Sequence, residues 1–75
     1  MKALYTFEFI FKDEDGVSIT YIFAFRKKRW NMYVEQYGDL NFVTTDSLEI
    51  DEPDTFDWEG FAYMKCAERH DDQIV

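Results

Sequence analysis

The sequence predicts a small single-domain α+β fold, in which an antiparallel β-hairpin and a third strand pack with two helices in the order ββαβα. Large apolar residues alternate with other residues over positions 3–25, which is typical of half-buried strands. A helical spacing of three and four residues appears over positions 30–37 and again after position 55. The 75 residues are too few for two domains, so we assign residues 1–75 to one domain.

The hairpin from Ala3 to Phe25 has the clearest pattern. Its apolar face is formed by alternate residues, namely Ala3, Tyr5, Phe7, Phe9 and Phe11 in the first strand and Val17, Ile19, Tyr21, Phe23 and Phe25 in the second. The dipeptide Asp15-Gly16 between the strands is typical of hairpin turns, because such turns need positive φ. Leu4, Ile10, Ile22 and Ala24 make the opposite face partly apolar, so another element or a second copy of the protein could cover it.

A change of period predicts the next two elements. Trp30, Tyr33, Val34 and Tyr37 are spaced as one face of a helix, and Gly38 follows where a glycine often ends a helix. Residues 39–45 then have the composition of a short third strand, whose end towards Ile50 the sequence leaves open.

A second helix is predicted after the acidic, proline-containing loop at residues 51–54. Its apolar face would be formed by Phe56, Gly60, Tyr63, Met64 and Ala67. Acidic residues stand near the start of this segment and basic residues near its end, which is the order that the helix dipole favours. A strand is the alternative, because apolar and acidic residues alternate over positions 56–59 and Gly60 could mark a bulge.

The charge of the chain is unevenly distributed. The net charge is −8, and the six acids and six bases of residues 1–45 cancel, so residues 46–75 carry the whole excess. Such a field repels nucleic acids and anionic membranes and attracts basic partners. We therefore expect neither direct nucleic-acid binding nor membrane binding.

Residues 46–59, here called the acidic segment, are the leading candidate for a binding site. Their carboxylates are interleaved with large apolar residues, which disordered acidic tails lack, so we expect the segment to be folded. The candidate partner-binding residues are Asp46, Glu49, Asp51, Glu52, Asp54, Phe56, Asp57, Trp58 and Glu59. A solvated face that only keeps the protein soluble is the alternative interpretation.

Arg26, Lys27, Lys28 and Arg29 form a basic run that Trp30 follows. One interpretation is that the run pairs with the acidic segment, either of its own chain or of another copy. The others are plain solvation and nucleic-acid binding, and the net charge of the chain argues against the last.

Catalysis, metals and cofactors find little support in the sequence. One histidine, His70, and one cysteine, Cys66, are too few for a zinc site. The acidic turn before Gly16 does not fit a calcium loop, because Phe11 and Ile22 would stand at ligand positions. We therefore expect neither an enzyme nor a cofactor.

The leading hypothesis is a small protein–protein binding module with an acidic face. In its sharper form it is an inhibitor that blocks the basic nucleic-acid-binding surface of another protein, as antagonists encoded by viruses or mobile elements do. The alternative is a self-associating structural or regulatory domain, such as a homodimer, in which residues 26–29 of one copy meet residues 46–59 of another. A single cysteine and no recognisable signal peptide favour the cytoplasm, of the host cell if the protein is viral.

Overall fold

Four strands followed by one helix make up the computed structural model, which describes residues 5–12, 14–26 and 28–74, with side chains as far as Asp71. The elements are β1 (Tyr5–Lys12), β2 (Ser18–Arg26), β3 (Arg29–Gln36), β4 (Asp39–Ser47) and α1 (Trp58–Ile74). All four strands form one antiparallel sheet in the order β1-β2-β3-β4. The α+β class is confirmed, whereas the predicted order of elements is not.

The first hairpin forms as the alternation predicts. Tyr5 pairs with Phe25 and Phe9 pairs with Tyr21, so the aromatic residues of both strands share one face. Gly16 has a φ of 80°, the positive value expected in this turn. Three residues of the predicted hairpin, Ala3, Leu4 and Asp13, lie outside the described part of the chain.

The predicted ββαβα order is wrong, because residues 30–37 do not form a helix. Trp30 pairs with Phe25 and Met32 pairs with Phe23 in β2, and both are buried. Val34 packs against the same core, so alternate residues of β3 face inward. The apolar residues of this short stretch fit both periods, and pairing with β2 decides between them, because it buries Met32 as well as Trp30.

Gly38 closes a hairpin turn instead of ending a helix. Gln36 pairs with Asp39, which leaves Tyr37 and Gly38 as a two-residue loop between β3 and β4. Their φ values are 56° and 82°, and positive values at both positions define the turn whose twist suits adjacent antiparallel strands. The strand after this turn ends at Ser47, between residue 45 and Ile50, where the sequence left its end open.

Replacing Tyr37 with Asn is expected to stabilise the protein by about 1 kcal/mol. The left-handed backbone is costly for most residues, whereas Asn followed by Gly is a favoured pair for this turn. Tyr37 is 82 % exposed, so the change removes little packing. Urea unfolding should show a higher midpoint with an unchanged slope. Gly38→Ala should lower the urea midpoint, because an alanine is strained at the positive φ of position 38. A Tyr37→Asn variant less stable than the wild-type protein would contradict the observed turn.

The core lies between α1 and one face of the sheet. Its buried residues are Ile19, Tyr21, Phe23, Phe25, Trp30, Met32, Ala62 and Cys66. Ala62, Cys66 and the buried His70 follow one another at intervals of four residues, so they form the stripe of α1 that faces the sheet.

The C-terminal helix is thus observed, but the face predicted for it is wrong. Tyr63 and Met64 were expected to be inward and are at least half exposed. Ala62 and Cys66 are small, and the aromatic side chains of the sheet fill the space in front of them. No helix in the described part of the chain is long and apolar enough to cross a lipid bilayer.

Candidate acidic binding surface

The acidic segment runs from the last two residues of β4, through the connection, to the first two residues of α1. It begins at the end of the sheet where β2 turns into β3. Its first apolar residue, Leu48, donates its backbone N–H to the carbonyl oxygen of Lys28 over 2.8 Å. The side chain of Leu48 also packs against the core. The start of the segment is therefore fixed to the β2–β3 turn.

Aromatic contacts fix the other end of the segment. The ring of Trp58 meets that of Phe25 edge-on, with 4.6 Å between the ring centres, and the ring of Phe56 lies 4.8 Å from Trp58. The indole N–H of Trp58 donates to the carbonyl oxygen of Pro53 over 3.1 Å. These contacts fold the connection back over the core and restrict its conformations.

Phe56 and Trp58 were predicted as contact residues for a partner. The structure places both of them half-buried, in contact with each other and with the core. Their observed contribution is to position the acidic segment, and only part of each ring remains for a partner to touch.

Asp57 caps the N-terminus of α1, a role that the sequence analysis missed. Its Oδ1 accepts the backbone N–H of Gly60 over 3.0 Å, as an N-cap carboxylate does for the third helical residue. A Cβ at position 60 would collide with the Asp57 carboxylate, so Gly60 makes room for this cap. An Asp directly before a helical period was the available signal.

The seven acids of the segment are all exposed: Asp46, Glu49, Asp51, Glu52, Asp54, Asp57 and Glu59. The salt bridge found among the described side chains joins Lys65 to Glu68 on α1 and does not involve the segment. Glu52 additionally receives hydrogen bonds from Thr55, through its carbonyl and its carboxylate. The surface therefore combines a high density of negative charge with a backbone held at both ends.

The β2–β3 turn brings the basic run close to the acidic segment within one chain. A cleft of about 470 Å³ lies between them, lined by Arg26 and Lys28 together with Glu49, Asp51 and Trp58, among others. Lys27 lies outside the described residues. Pairing of the run with the acidic segment of another copy stays a prediction.

Cys66 and His70 both lie on the buried stripe of α1. Nδ1 of His70 is 3.4 Å from the hydroxyl oxygen of Tyr21, and the His70 ring stacks on Phe11 with 5.0 Å between the ring centres. Burial also raises the pKa of the Tyr21 hydroxyl. These side chains complete the packing between α1 and the sheet.

The thiol of Cys66 is expected to react slowly in the folded protein. Burial raises its pKa from 9.0 to about 12, which lowers the thiolate fraction at pH 8 about 10³-fold. Labelling with a thiol reagent at pH 8 should therefore be slow until denaturant is added. The free energy of unfolding should also fall as the pH rises above about 9, because only the unfolded state then releases this proton. Labelling of the native protein at the rate of a free thiol would contradict this packing.

Binding is the chemistry that this arrangement supports best. The described side chains include no group of three or more His, Cys, Asp or Glu residues that could hold a metal ion. Exposed carboxylates on a connection held at both ends offer charge and hydrogen-bond acceptors to a basic surface. Comparison with known proteins found no matching protein family, no matching curated protein and no matching solved structure.

Proposed function

We propose that the protein is a binding module that docks a basic surface of another protein against its acidic segment. The observation that carries this proposal is the set of seven exposed carboxylates on the acidic segment, which is anchored at both ends. Anchoring reduces the conformational entropy that the segment would lose on binding, so more of the electrostatic attraction appears as affinity.

The one-sided charge supports a basic partner in particular. Residues 46–75 carry the whole net charge of −8, and most of their acids belong to the acidic segment. A field of this kind steers an oppositely charged protein and raises its association rate from about 10⁵–10⁶ to as much as 10⁸–10⁹ M⁻¹s⁻¹ at low salt. A purely solubilising role would not require the charge to be concentrated on one anchored connection.

In its sharper form, the proposal is that the partner is a nucleic-acid-binding protein and that the acidic segment occupies its basic groove. Several carboxylates held within one short connection present negative charge to such a groove, as a phosphate backbone does. The small size of the chain and its excess of acids support this form. A competition measurement separates it from the general one, because nucleic acid and this protein should then exclude each other from the partner.

The experiment that tests the proposal is capture of purified basic proteins by the immobilised chain. The wild-type chain is compared with a variant in which Glu49, Asp51 and Asp54 are changed to lysine. Loss of capture by this variant, with an unchanged melting curve, would support the proposal. Equal capture by the wild-type chain and by the variant would overturn the proposal.

A further inference from the structure

The sheet face opposite α1, here called the open face, carries a patch of apolar side chains. Two neighbouring rows cross all four strands in register, Glu8–Ile22–Tyr33–Phe42 and Ile10–Thr20–Glu35–Leu40. Five of these eight residues are apolar, and Glu8, Thr20 and Glu35 are the polar members of the rows. These residues alternate with the core residues of the same strands, so they face away from α1. Ile10, Leu40 and Phe42 are 68 %, 57 % and 56 % exposed. Contiguous exposed apolar side chains of this kind mark interaction surfaces.

The open face has the area that a specific interface needs. Four strands about 4.8 Å apart, each with about eight residues of 3.3 Å rise, span roughly 500 Å² in projection. Two such faces together would remove roughly 1,000 Å² from water, which is about the lower limit for a specific interface. A second copy of the chain offers a face of the same area that carries the same apolar patch.

The β2–β3 end of the open face is basic. Arg26 pairs with Arg29 at the last position of the two strands. Nε of Arg29 lies 3.5 Å from the hydroxyl oxygen of Thr45. Thr45 pairs with Asn31, which alternates with the core residues Trp30 and Met32. Arg29 therefore lies on the open face beside the apolar rows.

The opposite end of the sheet is acidic. The β1–β2 loop there contains the exposed residues Glu14 and Asp15, and Asp39 follows the β3–β4 turn. Lys12, at the end of β1, is the base that the described residues contribute at this end. The charges that flank the open face therefore differ in sign between its two ends, whereas the acidic segment leaves the β2–β3 end towards α1 on the opposite face.

We propose that the open face is the interface of a homodimer in which two copies stack face to face with their strands in opposite directions. Such a pair is related by a two-fold axis parallel to the sheets and perpendicular to the strands. The rotation brings the Arg26–Arg29 end of each copy against the acidic loop of the other. With the axis between the two apolar rows, Leu40 of one copy faces Phe42 of the other.

Charge also disfavours the other two-fold arrangement. An axis parallel to the strands would bring the arginines of both copies together and place the two acidic segments side by side. Like charges at close range are destabilising. The proposed arrangement places the two acidic segments at opposite ends of the dimer. The dimer does not depend on the function proposed for those segments, and it leaves both of them accessible.

The test is the mass of the purified protein in solution, measured by sedimentation equilibrium. The wild-type protein should approach twice the 9.1 kDa mass of the chain as its concentration rises. Ile10→Glu should weaken dimerisation at least about tenfold, because it places a carboxylate in the apolar patch and opposite Glu8 of the other copy. Met64→Glu is the matched control, since Met64 is 63 % exposed on α1, and it should leave the dimer unchanged.

A charge exchange tests the orientation of the two copies. Arg26→Glu with Arg29→Glu should weaken the dimer, and adding Glu14→Arg with Asp15→Arg should restore it, because the two altered ends meet only when the strands run in opposite directions. Melting curves of all variants confirm that they are folded. At a protein concentration of about 1 mM, even a dimer with a dissociation constant of about 1 mM would be populated, so a protein that is still monomeric there would overturn the proposal. A dimer that withstands Ile10→Glu, or a charge exchange that restores nothing, would overturn it as well.

Discussion

Replacing Phe25 with Ala is expected to lower the free energy of unfolding by about 3–5 kcal/mol, the usual cost of truncating a buried aromatic side chain. Phe25 is fully buried, and its ring contacts those of Phe23, Trp58 and Phe61. A 75-residue domain has a total stability of about 4–11 kcal/mol at 0.05–0.15 kcal/mol per residue, so this one change would remove a large part of it.

Phe42→Ala is the matched control for this prediction, measured in dilute solution. Phe42 is also an aromatic strand residue, but it lies on the open face and is more than half exposed. Its truncation should lower the free energy of unfolding by well under 1 kcal/mol. This cost includes the loss of the contact between its ring and that of Tyr33. The contrast tests which face is buried, since a register slip of one residue would exchange the two faces of a strand. Equal costs from the two variants would contradict the observed sheet.

The two faces of the first hairpin could be predicted because local sequence determines them. Alternation from Tyr5 to Phe11 specifies which side is buried, and Gly16 supplies the positive φ of the turn. Both signals act within a few residues, so they do not depend on the rest of the chain. The C-terminal helix was predicted from its local pattern as well, but the period assigned its buried face to Tyr63 and Met64, which are at least half exposed.

The second hairpin was not predictable from its apolar residues alone. Trp30 and Val34 fit a strand as well as they fit a helix, because a spacing of four residues belongs to both periods. Met32, whose place between them favours the strand, pairs with Phe23 across the sheet and is buried in the core that the fold assembles. The turn between β3 and β4 was also difficult to recognise from the sequence, since Tyr37 occupies a position at which Asn or Asp is usual.

The structure of the acidic segment could likewise be predicted only in part. Its exposed carboxylates follow from composition, whereas the direction of its aromatic side chains depends on tertiary contacts. Trp58 turns inward because Phe25 and Tyr5 offer it aromatic surfaces at 4.6 and 5.1 Å between ring centres. The hydrogen bond from Leu48 to Lys28 likewise joins residues that only the fold brings together.

Reversing the charge of the acidic segment is expected to have the largest effect on binding. Changing Glu49, Asp51 and Asp54 to lysine raises the net charge by six units and places bases where the partner's bases approach. Steering changes association rates by about 10–10³-fold, so the association rate should fall at least about tenfold. None of the three side chains belongs to the buried core, so the fold should persist.

A second variant separates the acidic segment from the overall charge. Glu14, Asp39 and Asp71 are exposed acids outside the segment, and changing them to lysine alters the net charge by the same amount. Their reversal should reduce the association rate much less, because screening limits the reach of exposed charges to about 8–10 Å at 0.1–0.15 M salt. The two variants are compared at a concentration at which each chain is a monomer, so they differ only in where the acids are lost.

The most direct test of a specific acidic binding surface is the association rate constant of a captured basic protein with these three chains at 0.15 M salt. The account predicts a rate at least about tenfold lower for the Glu49, Asp51 and Asp54 variant than for the wild-type chain. It predicts a rate close to that of the wild-type chain for the Glu14, Asp39 and Asp71 variant. Equal rates for the two variants would show that net charge alone attracts the partner and would contradict a specific acidic surface.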